Sequence, residues 1–331
     1  MNKIYKFGFI GTGAYGSALA NILTHNNLKT IMYGINDDEI NDINNGYNKK
    51  FFGEKKFDNN HLITATKDLE YVLDNSENIV LAVPSFVLSS ILSKMKELRP
   101  QVKWNIINIA KGFETQTRTF FSEFIKKEMK ESLNNLSTLL GPSFAIELFE
   151  KNKTIINIFG DSKKYNNKVI SYFNNDYFKI YPIDDPFSAE LFAALKNVLA
   201  IGCGILSEVS SSKNTFAAFL TTGVKEILMI YGKIAKKKKY KLVFDYATFG
   251  DTVLTCSNDK SRNFSYGKFI AKNGIESANK EFQGTIEGKE AAKVLVEILN
   301  IYRIKTKVFK GIISVLANKI SPKEIDLYIT K

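Results

Sequence analysis

The stretch LFAALKNVLAIGCGIL, Leu191 to Leu206, is apolar except for Lys196 and its neighbour Asn197, and no other charge lies between Glu190 and Glu208. A buried, unpaired ammonium group either costs several kcal/mol or loses its proton more readily. Two readings follow. The lysine stem packs while its head snorkels to water, or Lys196 moves a proton in a reaction. A free lysine titrates near ~10.4, so work as a base near neutrality requires burial or neighbouring cations to bring it down.

A second group of residues has the composition of an anion cradle. Gly11, Gly13 and Gly16 in GTGAYG form G-x-G-x-x-G directly after an apolar strand-like run, Tyr5 to Ile10, and open a helical pattern, Tyr15 to His25. That context gives the motif its meaning. The first glycine allows a tight turn, the second lets backbone approach a pyrophosphate, and the third lets helix pack on strand. The helix N-terminus then offers N–H groups and the positive end of a dipole. An acid at the end of the second strand would favour NAD. Here Asn36 holds roughly that place, followed by Asp37 and Asp38, and no arginine is at hand for a 2′-phosphate. NAD and NADP both stay open.

Three further stretches carry polar groups beyond what structure needs. NIAKGFE, Asn108 to Glu114, puts Lys111 just after a strand. LLGPSFAIE, Leu139 to Glu147, ends a strand at Gly141 and places Ser143 where it caps a helix or meets a ligand. Phe249 to Gly267 brings Asp251, Thr255, Ser261, Arg262 and Asn263 into one polar segment. Alone that segment reads as a solvated loop between helices, although Arg262 and Asn263 have the chemistry of an oxyanion clamp.

The elements that must position these residues change character along the chain. Strand-like runs at Tyr5–Ile10, Lys29–Tyr33, Ile79–Val83, Asn105–Ile109, Thr138–Leu140, Thr154–Phe159 and Phe178–Tyr181 alternate with helical patterns. This predicts a parallel sheet covered on both faces, an α/β fold. Beyond PIDDP, Pro182 to Pro186, long helical patterns replace strands, at Ser188–Ser207, Phe216–Ala235, Ile286–Leu299 and Gly311–Ala317. The predicted domains are therefore 1–185, binding a nucleotide, and 186–331, helical and carrying the substrate site.

Composition excludes several classes. The 331 residues are 44% hydrophobic and 24% charged, as in an ordinary globular protein. No long uncharged apolar run suits a membrane span, and the N-terminus lacks the pattern of a signal peptide, so a cytoplasmic protein is expected. Cys203 and Cys256 lie far apart in sequence, outside any metal-ligand spacing, and suggest no disulfide. The net charge of +12 comes from lysines spread throughout, with one run at Lys236–Lys239 after a helical pattern. No basic stripe interleaved with aromatics appears, so nucleic acid is not expected as a partner.

Together, AVPS (82–85), AKGFE (110–114), GPSFAIE (141–147), ALKNVLAIGCGI (194–205) and GDTVLTCSNDKSRN (250–263) resemble the bacterial-type NAD(P)-dependent glycerol-3-phosphate dehydrogenases along nearly the whole chain. The resemblance implies a Rossmann-type N-terminal domain, an all-helical C-terminal domain and a cleft between them. It implies reversible reduction of dihydroxyacetone phosphate to sn-glycerol 3-phosphate with NAD or NADP, feeding glycerophospholipid synthesis, and a homodimer in many members. Position by position, Lys196 stands where the family has its proton-transferring lysine. Lys111 matches a second lysine that contacts substrate, and is placed beside the cofactor as well. Gly141 and Ser143 match substrate contacts, Ala145 a cofactor contact. Asp251, Ser261, Arg262 and Asn263 match the substrate segment, with Arg262 also near the cofactor. Ala14 and Tyr15 stand beside the cofactor where Ser and Trp are common, Asn36 replaces a polar or basic contact, and Thr285 and Glu287 match further cofactor positions. The alternatives are a related two-domain 3-hydroxyacid or ketoacid reductase, which would bind a carboxylate, and a silent nucleotide sensor, which would be expected to have lost Lys196 or Arg262.

Overall fold

The computed structural model describes residues 3–114, 116–236 and 244–330. The chain divides between Asp184 and Asp185 into two compact units, and a short stretch before Phe120 groups with the second.

The first unit runs β1 (Tyr5–Ile10), α1 (Ala14–His25), β2 (Thr30–Tyr33), α2 (Asp37–Asn44), α3 (Lys49–Phe52), β3 (Ile63–Thr66), α4 (Leu69–Asn75), β4 (Ser76–Leu81), α5 (Leu88–Leu98), β5 (Trp104–Asn108), α6 (Phe121–Met129), β6 (Leu133–Leu140), α7 (Ala145–Phe149), β7 (Thr154–Gly160), α8 (Lys163–Phe173) and β8 (Phe178–Pro182). The eight strands form one sheet in the order β3-β2-β1-β4-β5-β6-β7-β8. Side-chain alternation feeds two cores. Phe7, Phe9, Val80, Ile107 and Leu139 pack with α1, α7 and α8, while Ile10, Ile79, Leu81 and Ile106 face α4, α5 and α6.

The sheet is not wholly parallel, as the strand–helix alternation had predicted. Strands β1 to β6 pair in parallel, but β7 runs antiparallel to β6, Leu139 facing Ile158, and β8 then follows β7 in parallel. The reversal is possible because only the short α7 and a turn, not a full crossover, join β6 to β7. The carboxyl ends of β1, β2, β4, β5 and β6 therefore share one sheet edge, the edge where such folds bind ligands.

The second unit contains α9 (Pro186–Val209), α10 (Lys213–Ala235), α11 (Asp251–Cys256), α12 (Arg262–Glu281), α13 (Glu287–Ile301) and α14 (Val308–Leu316). Asp185 caps α9 by accepting from Ser188 N at 3.3 Å, with Pro186 in the first turn where no N–H is missed. Every residue of α9 from Ser188 to Leu206 is buried. It is the one helix among the described residues long and apolar enough to cross a membrane, and its apolar window is wholly covered by protein. Close approach of its neighbours depends on glycine. A Cβ on Gly204 would fall 2.0 Å from Phe264 O of α12, and one on Gly267 would fall 2.1 Å from Ile201 O of α9. The lysine run begins as the helix ends, Lys236 following α10 with φ 51°; Lys237 to Lys239 lie outside the described residues.

Candidate functional site

In the first unit the glycine turn has the geometry its spacing predicts. Gly11 has φ 117°, and a side chain there would strike Ala82 O at 2.4 Å. Gly16 lies against Ala82, where a Cβ would come within 2.8 Å of its Cβ. Gly13 differs, with nothing within 4 Å of a built Cβ. It is the N-cap of α1, no side chain caps that end, and no acid lies in the first turn. An uncapped helix start behind open space can take an anion. Ala14 and Tyr15 are half-buried at this start.

The other strand ends bring polar groups to the same edge. Lys111 Nζ donates to Gly141 O at 3.1 Å. Ser143 Oγ lies 3.0 Å from that carbonyl and 3.0 Å from the Tyr15 hydroxyl. Its single hydroxyl proton is shared between these two acceptors. Ser143 therefore does not cap α7, whose N-cap is Phe144. Gly141 is fixed by packing, since a Cβ there would come within 2.7 Å of Ile156 Cβ in β7. Ala145 begins α7. Asn36 is exposed and caps α2, its Oδ1 accepting from Glu39 N at 3.0 Å.

In the second unit, Lys196 is 3% exposed and does not snorkel. Its Nζ donates to Thr255 Oγ1 at 2.6 Å and lies 3.1 Å from Asp251 Oδ1. Thr255 Oγ1 in turn donates to Asp251 Oδ1 at 3.3 Å. Asp251 and Thr255 stand four residues apart on α11 and so share a face. A buried ammonium group is thus paired and hydrogen-bonded, as its desolvation demands.

The reading of 249–267 as a solvated loop is overturned. A single π-helical turn, Tyr246–Gly250, leads into α11, and α12 begins at Arg262, leaving a short connection. Asp251, Thr255, Ser261 and Asn263 are all buried. Ser261 caps α12, accepting from Phe264 N at 3.3 Å. Asn263 Oδ1 accepts from Gly288 N at 2.9 Å, and Asn197 Nδ2 donates to Glu287 Oε2 at 3.0 Å. These two bonds moor the start of α13. Arg262 and Thr285 stay exposed; a Cβ on Gly284 would lie 3.8 Å from Arg262 Nη1, so the guanidinium borders that turn.

Sequence reading missed three things. Thr255 is the second partner of Lys196, signalled only by its i+4 spacing from Asp251. Glu39 reaches the phosphate turn, accepting from Thr12 Oγ1 at 2.5 Å. Cys256, 60 positions from Lys196, donates its Sγ proton to the Lys196 carbonyl at 3.6 Å, and burial pushes the Cys203 thiol well above its ordinary value.

Comparisons with known proteins show the family. The profile of the NAD-dependent glycerol-3-phosphate dehydrogenase N-terminus matches residues 6–166, and that of the C-terminus residues 185–326. A glycerol-3-phosphate dehydrogenase (NAD(P)+) of Malacoplasma penetrans is 40% identical over 95% of this chain and 93% of its own length. One from Clostridium botulinum is 32% identical over 96% and 94%. A crystal structure of the Coxiella burnetii glycerol-3-phosphate dehydrogenase, 23% identical, has the same fold with a TM-score of 0.88 over 99% of both chains. The chain belongs to the NAD-dependent glycerol-3-phosphate dehydrogenase family.

Proposed function

We propose that this protein is an NAD(P)-dependent glycerol-3-phosphate dehydrogenase, interconverting dihydroxyacetone phosphate and sn-glycerol 3-phosphate. The observation that carries the reading is the buried Lys196–Asp251–Thr255 triangle, in a chain matched by the family along most of its length. A nicotinamide cofactor, when bound, would supply or accept the hydride at C2. Lys196 gives a proton to the C2 oxygen during reduction and takes the hydroxyl proton during oxidation. Asp251 balances its charge out of water and Thr255 fixes its direction.

Arg262, exposed at the start of α12, grips the phosphate through its guanidinium fork. Asn263, its oxygen committed to Gly288, keeps its amide nitrogen as a donor, and Ser261 holds the turn. In the first unit, Gly11, Gly13 and Gly16 hold the pyrophosphate beside Ala14 and Tyr15. Lys111, Gly141 and Ser143 present polar groups to substrate at the strand ends. Ala145, Asn36, Thr285 and Glu287 are assigned to the cofactor, as are second contacts of Lys111 and Arg262. Family membership further supports a domain division near residue 185, a homodimer, a cytoplasmic location and a supply of glycerol 3-phosphate to phospholipid synthesis.

The test is oxidation of NADH or NADPH on adding dihydroxyacetone phosphate, followed by the near-ultraviolet absorbance of the reduced nicotinamide. Turnover that needs the phosphate and collapses in Lys196→Ala supports the reading. A folded protein that turns over neither cofactor removes it.

A further inference from the structure

In this class of fold the adenosine ribose lies at the carboxyl end of the second strand. Here that end is Tyr33-Gly34-Ile35-Asn36, followed at once by Asp37, Asp38 and Glu39 in the first turn of α2. The Asn36 side chain is turned to its own helix as a cap. Ile35 is 81% exposed and offers no donor. Two cations approach the segment, and each is already held by a carboxylate. Lys50 Nζ sits 2.6 Å from Glu39 Oε1, and Lys67 Nζ 2.6 Å from Asp37 Oδ1. Asp38 is exposed and has no cation partner among the described residues.

Glu39 has a second attachment. Its side chain is 12% exposed and its other oxygen accepts from Thr12 Oγ1. Asn48 Nδ2 donates to Thr12 O at 2.9 Å, from the residue that precedes α3. The phosphate turn and the acidic start of α2 are thus joined in one network at the end of β2. The chain has four arginines, at 99, 118, 262 and 303. Arg99 is the one in the first unit, and it is spent on Asp74 and Glu70.

We infer that the ribose end of this site accepts the 2′-hydroxyl of NAD(H) and rejects the 2′-phosphate of NADP(H), with the Asp37–Glu39 turn as the specificity element. The inference rests on the cofactor reading above and deepens it. A 2′-phosphate would bring up to about two negative charges to a turn whose three carboxylates outnumber the two lysines paired with them, with Asp38 left without a cation partner among the described residues. Like charges so placed weaken binding strongly. The unmodified ribose instead finds acceptors for its hydroxyls.

The test is calorimetric titration of the purified protein with NADH and with NADPH at low and high salt. NADPH is expected to bind at least about tenfold more weakly, with the gap narrowing as salt screens the carboxylates. Ile35→Arg, at an exposed position, is expected to tighten NADPH and leave NADH nearly unchanged, and Asp38→Asn to narrow the gap. Equal affinities in the wild type, or a gap unmoved by salt and by both variants, would overturn the inference. Failure of both dinucleotides to bind folded protein would instead bring down the cofactor reading beneath it.

Discussion

Replacing Gly267 by alanine tests whether the helices that carry the proposed chemistry are locked backbone to backbone. The new methyl would fall 2.1 Å from Ile201 O and 2.9 Å from Ile205 N, both on α9. Real Cβ atoms essentially never come within 3.0 Å of such neighbours. The shortfall is 3.0 − 2.1 = 0.9 Å, and α12 must retreat by about that much. A carbonyl inside a helix cannot rotate aside as a side chain would. Overpacking costs about 1–3 kcal/mol, here at the upper end, and alanine returns up to about 1 kcal/mol through helix propensity. The net loss is about 2 kcal/mol, or a fall in Tm of about 4–8 °C for a unit of this size. Because Arg262 lies five residues upstream on α12, KM for the phosphate substrate should rise as well. Circular dichroism melts and steady-state kinetics read the two effects. A Tm within about 1 °C of wild type together with an unchanged KM would refute the packing argument. Gly13→Ala is the opposite case: the methyl meets nothing within 4 Å, so Tm should hold while dinucleotide affinity falls.

Lys196→Met should lower kcat by about 10²–10⁴-fold with little change in dinucleotide affinity; a variant retaining most of its turnover would remove Lys196 from the proton path. Cys203 and Cys256 are fully buried, so neither thiol should react with an aromatic disulfide reagent until denaturant is added, and rapid labelling of the native protein would contradict their burial. Glu226 accepts from Val308 N and Phe309 N at the start of α14, and also from Lys307 N, yet burial still pushes its carboxyl up. For an acid raised on folding, the linked stability is present below the unfolded value of about 4.3 and is lost as pH rises through the folded value. Glu226→Gln should therefore flatten the dependence of the denaturation midpoint on pH in that acid range, and an unaltered profile would place the linkage elsewhere.

Local chemistry in the chain was legible wherever it was complete over a short span. GTGAYG carries its turn, its approach and its packing in six residues, and the apolar run before it forms the strand it reads as, Tyr5–Ile10. The direction of β7 was not legible, because TIINIFG pairs equally well either way and the reversal is decided by what joins it to β6. Strand β3, four residues of alternating burial, was too short to stand out from its polar loop. Helix α12 hid behind Gly267, Asn273 and Gly274, the last with φ 80° interrupting the helix. Gly267 looks like a loop residue in sequence and proves to be a contact point in space. The partners of Lys196 lie 55 and 59 positions away on α11, so only the fold could reveal that its charge is paired.

The burial of α9 from Ser188 to Leu206 has a consequence for how the protein is made. Every helix packed on it within its unit, α10 to α14, follows it in the chain. As the nascent polypeptide emerges, α9 is therefore exposed before any of its cover exists, with the length and composition of a membrane span. A lysine near the centre of such a segment costs about 2.5–3.5 kcal/mol on insertion into a bilayer. The ammonium group assigned to proton transfer in the finished protein thus also steers the unfinished one away from lipid, and its removal would burden biosynthesis as well as turnover.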